Sequence, residues 1–161
     1  MEISVASTDA EIAGCHPVMS ELRPHISAAE FVPPVRRLQT NAGFQLAFLR
    51  SGGDIKSVAG FRVSEWLAGG RYLEIEDLVS KASDRSKGYG GILFDWLKNH
   101  AAHAGCKQLR LVSSVRRLDA HRFYVRKGMV LDAHFFSMNI SACENTMPNN
   151  ALQATREDAR A

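Results

Sequence analysis

A basic, glycine-rich turn in the middle of the chain is the segment whose residue types most clearly suggest chemistry. It runs Asp84-Arg85-Ser86-Lys87-Gly88-Tyr89-Gly90-Gly91, between a strand-like pattern at 72–79 and a helix-like pattern at 92–100. The first N–H groups of a helix lack intrahelical partners, and the helix dipole favours negative charge at that end. Glycines let the backbone approach a ligand closely, because no Cβ intervenes. The turn therefore predicts an anion site for a ligand that carries phosphates.

Two other phosphate-binding motifs fit this segment less well. Its glycines lack the third position of the G-x-G-x-x-G dinucleotide fingerprint, and no strand ending in an acidic ribose ligand follows at the expected distance. The sequence G-K-[ST] is not present, so the turn is not a P-loop. A tight strand-to-helix connection without a ligand stays open as the alternative interpretation.

The patterns around the turn predict the elements that must position it. The first half of the chain predicts a strand at 2–6, a helix capped by Ser7-Thr8-Asp9 and ended by Pro24, and a second helix from the capping box Ser27–Glu30 to Gly43. Strands at 44–49 and 55–63 follow, joined by a hairpin turn at Ser51-Gly52-Gly53-Asp54. After them come the strand at 72–79, a helix to about His103, a strand at 108–115, a helix at 118–127 and one or two strands within 129–140. The order β-α-α-β-β-β-α-β-α-β predicts a mixed α/β fold with helices on both faces of the sheet.

Two segments together resemble the signatures of the GCN5-related N-acetyltransferase (GNAT) family. The segment from Arg85 to Gly90 fits R/Q-x-x-G-x-G/A, and the segment from Ala120 to Met129 is similar to A-x-x-F-Y-x-x-x-G-F, with Met129 in place of the usual Phe. The separation of 35 positions from Arg85 to Ala120 leaves room for one helix and one strand. The resemblance is strong over 44–136, compatible over 1–43 and absent from the tail. It implies the GNAT fold, with a mostly antiparallel central sheet and two splayed strands.

The resemblance also implies acetyl-CoA as cosubstrate and assigns residues to it. Backbone N–H groups of the turn would hold the pyrophosphate, the gap beside the preceding strand would take the pantetheine arm, and a backbone N–H near Val79 would polarise the thioester carbonyl. Arg117 stands where members often carry Asn, and a phosphate contact is an alternative role for it. The implied cofactor-binding residues are Leu78, Val79, Ser80, Arg85, Ser86, Lys87, Gly88, Tyr89, Gly90, Gly91 and Arg117.

Three side chains are the candidate catalytic groups. Tyr124 matches the family's tyrosine general acid, which would protonate the departing CoA thiolate. Glu74 and Glu76 share one face of the strand by its period of two, and either could deprotonate the amine, with Glu76 favoured. The alternatives stay open: Tyr124 could be a packed aromatic, and the glutamates could belong to a solvated strand face.

Chain length, net charge and cysteine spacing limit the domain count, the partners and the cellular location that we expect. The 161 residues suggest one domain at 1–143, followed by a polar tail at 144–161 that we expect to be poorly ordered. A net charge of +3 is too small to argue for nucleic acid, and no stretch predicts a membrane span or a signal peptide. Cys15, Cys106 and Cys143 show neither disulfide nor metal spacing, so we expect a cytoplasmic protein with no metal.

The sequence thus predicts an acetyl-CoA-dependent N-acetyltransferase acting on a primary amine by direct attack in a ternary complex. The acceptor, a small molecule or a peptide, is not readable. His25, Glu30, Arg62 and His134 are unranked candidates to contact it. A non-catalytic acyl-CoA-binding module of the same fold is the alternative, and a homodimer is an analogy with similar folds only.

Overall fold

The structure, a computed structural model, describes residues 1–140. Its regular elements follow the predicted order up to the last helix. They are β1 (Glu2–Val5), α1 (Asp9–Met19), α2 (Ala28–Ala42), β2 (Phe44–Ser51), β3 (Asp54–Trp66), β4 (Gly70–Ser80), a short 3-10 turn (Ala82–Asp84), α3 (Tyr89–His103), β5 (Gln108–Leu111) and α4 (Leu118–Arg126). None of the helices in this part of the chain is long and apolar enough to cross a membrane.

The five strands form one sheet in the order β1-β2-β3-β4-β5. The first four are antiparallel neighbours, whereas β5 lies parallel to β4. The predicted hairpin is confirmed, because Ser51 pairs with Asp54 across the two glycines between β2 and β3. A parallel neighbour requires a crossover, and α3 provides it between β4 and β5.

Helices cover both faces of the sheet, which confirms the predicted fold class. On one face α1 and α2 bury Ile12, Cys15 and Phe31 against β2 and β3. On the other face α3 buries its apolar positions, among them Leu93 and Phe94, against the opposite side of the same strands. The two clusters give most of β2, and β3 from Ser57 to Phe61, the continuous burial expected of strands in the middle of a layered fold.

Capping residues fix the helix ends close to their predicted positions. The Thr8 hydroxyl accepts a hydrogen bond from Glu11 N–H, and the Glu11 carboxylate accepts one in return from Thr8 N–H. Ser27 begins α2 as predicted, but its hydroxyl donates to the Glu30 carboxylate and makes no capping bond to the backbone. The α1 helix ends at Met19, before the predicted stop at Pro24, because Leu22 and Arg23 N–H both turn back to the Met19 carbonyl.

Two predicted strand segments differ from the structure. β5 ends at Leu111 and does not reach 115, and no strand occurs within 129–140. A strand needs a hydrogen-bonded neighbour, and no described strand pairs with residues 112–115 or 129–140. Residues 1–130 form one compact unit, and residues 131–140 belong to a second unit. In that second unit the described residues have exposed side chains and no regular structure. The predicted tail at 144–161 lies outside the described residues.

Candidate active site

The connection from β4 to α3 has the backbone conformation of an anion cradle. Ser86 has φ +65° and Gly88, the residue that caps α3, has φ +88°, so two left-handed residues surround Lys87. Alternating backbone hands of this kind turn successive N–H groups towards one side. The first hydrogen bond of α3 runs from Ile92 N–H to the Gly88 carbonyl. The N–H groups of Tyr89, Gly90 and Gly91 therefore precede the first intrahelical donor and point out of the helix end.

The charged side chains of this turn already have protein partners. Lys87 Nζ lies 2.7 Å from Asp84 Oδ1, and Arg85 lies 3.5 Å from Glu21 in the turn after α1. The hydrogen bond from Lys87 lowers the pKa of Asp84, a buried carboxylate that also lies 3.4 Å from Lys56. The backbone N–H groups are accordingly the part of the turn that remains available to the predicted anion, because its lysine and arginine are paired with carboxylates.

The next feature is a gap beside the second half of β4. The parallel pairing with β5 covers only Tyr72–Ile75, and β4 continues to Ser80 with β3 as its neighbour. Lys81 N–H bonds to the Lys56 carbonyl. Because bonded and non-bonded pairs alternate along an antiparallel ladder, Val79 also bonds to β3, while the N–H groups of Leu78 and Ser80 face the gap. The donor predicted near Val79 would then be one of these two N–H groups.

The gap leads directly into the cradle. A Cβ added at Gly90 would lie 2.9 Å from Ser80 Oγ, so the start of α3 sits against the end of β4. Ser80 Oγ donates to Ser57 Oγ, which donates to the Val79 carbonyl and fixes the strand at this point. At the other side, Lys127 Nζ donates to the Gly91 carbonyl and to Asp95, and thus joins the second motif segment to the first.

A β-bulge interrupts β4 at its predicted carboxylates. Gly60 of β3 lies opposite Asp77, but the next β3 residue, Phe61, lies opposite Ile75, so Glu76 is an extra residue. Leu73 and Ile75 before the bulge and Leu78 after it all pack on the α3 face. The extra residue therefore shifts the alternation by one, and Glu76 and Asp77 both line a cavity under α1 and α2.

The two predicted carboxylates are ion-paired. Glu74 lies 3.1 Å from Arg110, whose guanidinium stacks over the Tyr72 ring. Glu76 forms a close hydrogen bond with Arg62, a residue that the sequence placed among the candidates for acceptor contacts. Their roles as general bases stay predictions, because each carboxylate must first separate from its arginine.

Asp77 is a functional candidate that the sequence reasoning missed. Its side chain is 14% exposed and lies 2.7 Å from Arg23. Burial raises the pKa of Asp77, while the charges of Arg23 and Arg117 oppose that rise. A perturbed carboxylate beside a cavity is a common mark of an active site. The available signal was Gly60, because a glycine inside a strand often marks a bulge.

Tyr124 lies on α4, half-buried beside the rings of Phe94 and Phe123. Burial raises the pKa of Tyr124, and the charge of Arg117 opposes that rise. Arg117 is exposed at the start of α4. The charge of Arg117 therefore acts on both Tyr124, which packs on the α3 side of the sheet, and Asp77, which lines the cavity on the other side. Within residues 1–140 there is no group of three or more side chains that could hold a metal ion.

This arrangement, a splayed mixed sheet whose gap leads to a helix N-terminus, is typical of proteins that hold a long phosphorylated ligand against a strand edge. The family model described as "Acetyltransferase (GNAT) family" matches residues 11–129. The chain therefore belongs to the GNAT acetyltransferase family, and this membership supports acetyl transfer in general.

Individual relatives agree with this assignment. The chain is 33% identical over 127 residues to a Bacillus subtilis protein named "Uncharacterized N-acetyltransferase YhdJ", covering 78% of this chain and 89% of the relative. A shorter match, 38% over 55 residues, covers 34% of this chain and 36% of the aminoalkylphosphonate N-acetyltransferase of Salmonella typhimurium. A solved GNAT family acetyltransferase of Staphylococcus aureus has the same fold, with a TM-score of 0.73, 15% identity, and coverage of 86% of this chain and 98% of the other.

Proposed function

We propose that the protein is an N-acetyltransferase that transfers the acetyl group of acetyl-CoA to a primary amine by direct attack within a ternary complex. One observation carries the proposal: among the described residues, the unpaired edge of β4 continues into the unpaired N–H groups that begin α3. A strand edge suits an extended amide-containing arm, and a helix N-terminus suits a pyrophosphate. Family membership supports acetyl-CoA as the cosubstrate.

The residues present fit that cosubstrate. The N–H groups of Leu78 and Ser80 would pair with the arm, and those from Arg85 to Gly91 would surround the pyrophosphate. Gly88 leaves open space on the outer side of the turn, because a Cβ added there would meet nothing within 4 Å. Exposed Arg117 is free to approach a phosphate, which is the role that we assign to it. When bound, acetyl-CoA supplies an acetyl group activated as a thioester.

The side chains of the chain would manage the two protons of the reaction. Tyr124, with its pKa raised by burial, keeps its proton at neutral pH and can give it to a departing thiolate. A carboxylate on β4 would receive a proton from the amine, because an alkylamine with a pKa of about 10.4 is mostly charged at neutral pH. Glu76 is the predicted base and Glu74 the alternative, each after separation from its arginine.

The acceptor class is open at this level. A small amine and a peptide amine are both compatible with the family, and an aminoalkylphosphonate is a candidate because one partial relative carries that name. The free thiols of Cys15 and Cys106 support a cytoplasmic location, where thiols stay reduced. The second candidate function is a non-catalytic acyl-CoA-binding module, which the ion pairing of both predicted bases favours.

Calorimetry and thiol release separate these functions. We expect acetyl-CoA to bind and to release a free thiol when one of a panel of amines is added. Binding without release for every amine would support the non-catalytic module. No binding of acetyl-CoA or CoA would refute both, and DNA binding with a steep salt dependence would point to a different class of protein.

A further inference from the structure

A cavity of about 110 Å³ lies beside the β4 bulge, between the first two helices and the sheet. Its walls are mainly apolar, with Phe31, Val35 and Leu38 from α2 and Phe44 and Leu46 from β2. Three charged residues, Arg23, Glu76 and Asp77, close one end. The cavity therefore has an apolar body and a polar end, as expected of a site for a small amphipathic molecule.

The polar end is built to receive a cation. Its lining holds two carboxylates and one arginine, and Arg62 outside the lining pairs with Glu76, so the charges balance when one cation pairs with Asp77. Glu76 is held by Arg62 from the neighbouring strand. Arg23, on the connection after α1, is 44% exposed, whereas Asp77 is 14% exposed. An entering ammonium can therefore replace the Arg23 guanidinium, which moves towards solvent. Asp77 stays in place and still has one cationic partner.

The position along the strand suits acetyl transfer. Asp77 precedes Val79 by two residues, which is about 6.6 Å along a strand. The donors that face the gap belong to Leu78 and Ser80, so a nitrogen held by Asp77 would lie close to a thioester carbonyl at those donors.

We propose that this cavity is the acceptor site, that the acceptor is a small primary amine with an uncharged apolar body of about four non-hydrogen atoms, and that Asp77 receives the amine's proton. The size follows from the volume, since an apolar cavity of about 150 Å³ binds a benzene molecule, which has six non-hydrogen atoms. The inference rests on the proposed function. The entering ammonium gives one proton to the Asp77 carboxylate, and the neutral amine nitrogen then bonds to the acetyl carbon. The carbon–sulfur bond breaks with its electron pair on sulfur, and the CoA thiolate takes a proton from Tyr124. The acylated nitrogen loses a second proton, which restores the Tyr124 hydroxyl through solvent.

The same lining disfavours acceptors with an anionic group. A carboxylate or phosphonate in the cavity would need a cation, and the described lining offers only Arg23, which is paired with Asp77. An anion among the apolar walls would otherwise lose its hydration without compensation.

Thiol release with a homologous series of amines tests the size and polarity. From ethylamine to butylamine, kcat/KM should rise roughly fourfold to tenfold per methylene, and it should stop rising by hexylamine. Beta-alanine and aminoethylphosphonate, which carry an anion on a similar chain, should be poorer than propylamine. A preference for either anionic amine, or no dependence on chain length, would overturn the proposal.

A matched pair of variants tests the location. Phe31 and Phe48 are both 4% exposed and belong to the same core cluster, but only Phe31 lines the cavity. Phe31→Leu should move the preferred chain length towards longer amines, and Phe48→Leu should leave it unchanged. The same shift in both variants, or in neither, would contradict the assigned site.

Asp77→Asn tests the proton acceptor and separates the two proposals. It should lower kcat roughly 10²- to 10⁴-fold and leave the Kd of acetyl-CoA unchanged. Calorimetric binding of butylamine to the CoA complex should also weaken at least tenfold. Asp77-dependent butylamine binding without thiol release would uphold the site and refute the proposed function. Thiol release that persists unchanged in Asp77→Asn would refute the role of Asp77 and leave the proposed function intact.

Discussion

Replacing Gly88 with alanine is the sharpest test of the anion cradle. Gly88 has φ +88°, and a Cβ added there would meet nothing within 4 Å. The cost is therefore confined to the backbone: holding an L-residue in the left-handed region costs roughly 1–2 kcal/mol. Alanine also lowers the conformational entropy of the unfolded chain, which stabilises the folded protein by about 0.4–1 kcal/mol. We expect Gly88→Ala to lower the free energy of unfolding by about 1 kcal/mol.

Gly53 provides a matched control. It has φ +86° in the turn between β2 and β3, and an added Cβ there would also meet nothing within 4 Å. Gly53→Ala should therefore lose the same stability in urea denaturation followed by circular dichroism. The two variants differ only in what their N–H groups and new methyl groups face.

Calorimetry with CoA should distinguish the variants. In Gly88→Ala either the methyl group stands in the path of the pyrophosphate, or the backbone relaxes and turns an N–H away. Loss of one hydrogen bond to a charged group is worth about 1.5–3 kcal/mol, so Kd should rise roughly tenfold to a hundredfold. Gly53→Ala should bind CoA as the unchanged protein does. Equal affinity in both variants, together with an equal loss of stability, would refute the assignment of the cradle.

Three further predictions concern single side chains. Tyr124→Phe should lower kcat roughly 10²- to 10⁴-fold with little change in the Kd of acetyl-CoA, and an unchanged kcat at every pH would remove Tyr124 as the general acid. Burial raises the pKa of Cys15 to about 12, so almost no thiolate exists at pH 8, and peptide mapping after maleimide labelling should find Cys106 modified well before Cys15. Thr8→Ala should cost about 1 kcal/mol in urea denaturation because it removes the acceptor for Glu11 N–H, and no change would show that the cap is not needed.

Local signals predicted much of the fold correctly. The glycines at 52 and 53 marked the hairpin, and Thr8 with Glu11 marked the start of α1, because turns and caps depend on residues within a few positions of each other. The cradle is a local motif of the same kind, since its conformation follows from Gly88 and the helix that it begins. These features need no knowledge of distant partners.

Strand extent was harder to predict because it depends on partners far away in sequence. The apolar run at 108–115 favoured a long strand, yet only the part that pairs with Tyr72–Ile75 is a strand. The apolar residues within 129–140 suggested strands for the same reason, and no described strand pairs with the backbone there. Hydrophobic pattern measures a tendency to be buried, and it does not specify which edge is available for pairing.

The bulge at Glu76 shows why the sequence did not predict on which face of the sheet Asp77 lies. Strict alternation would place Asp77 on the α3 face beside Ile75, where a carboxylate would lie among apolar side chains. The extra residue moves Asp77 to the other face, next to Glu76 and within reach of Arg23. Gly60 makes this possible, because a Cβ there would lie 2.6 Å from the Phe44 ring and 3.0 Å from the Asp77 carboxylate. The candidate acceptor site thus depends on a register between β3 and β4 that permits two adjacent carboxylates on one side of the sheet.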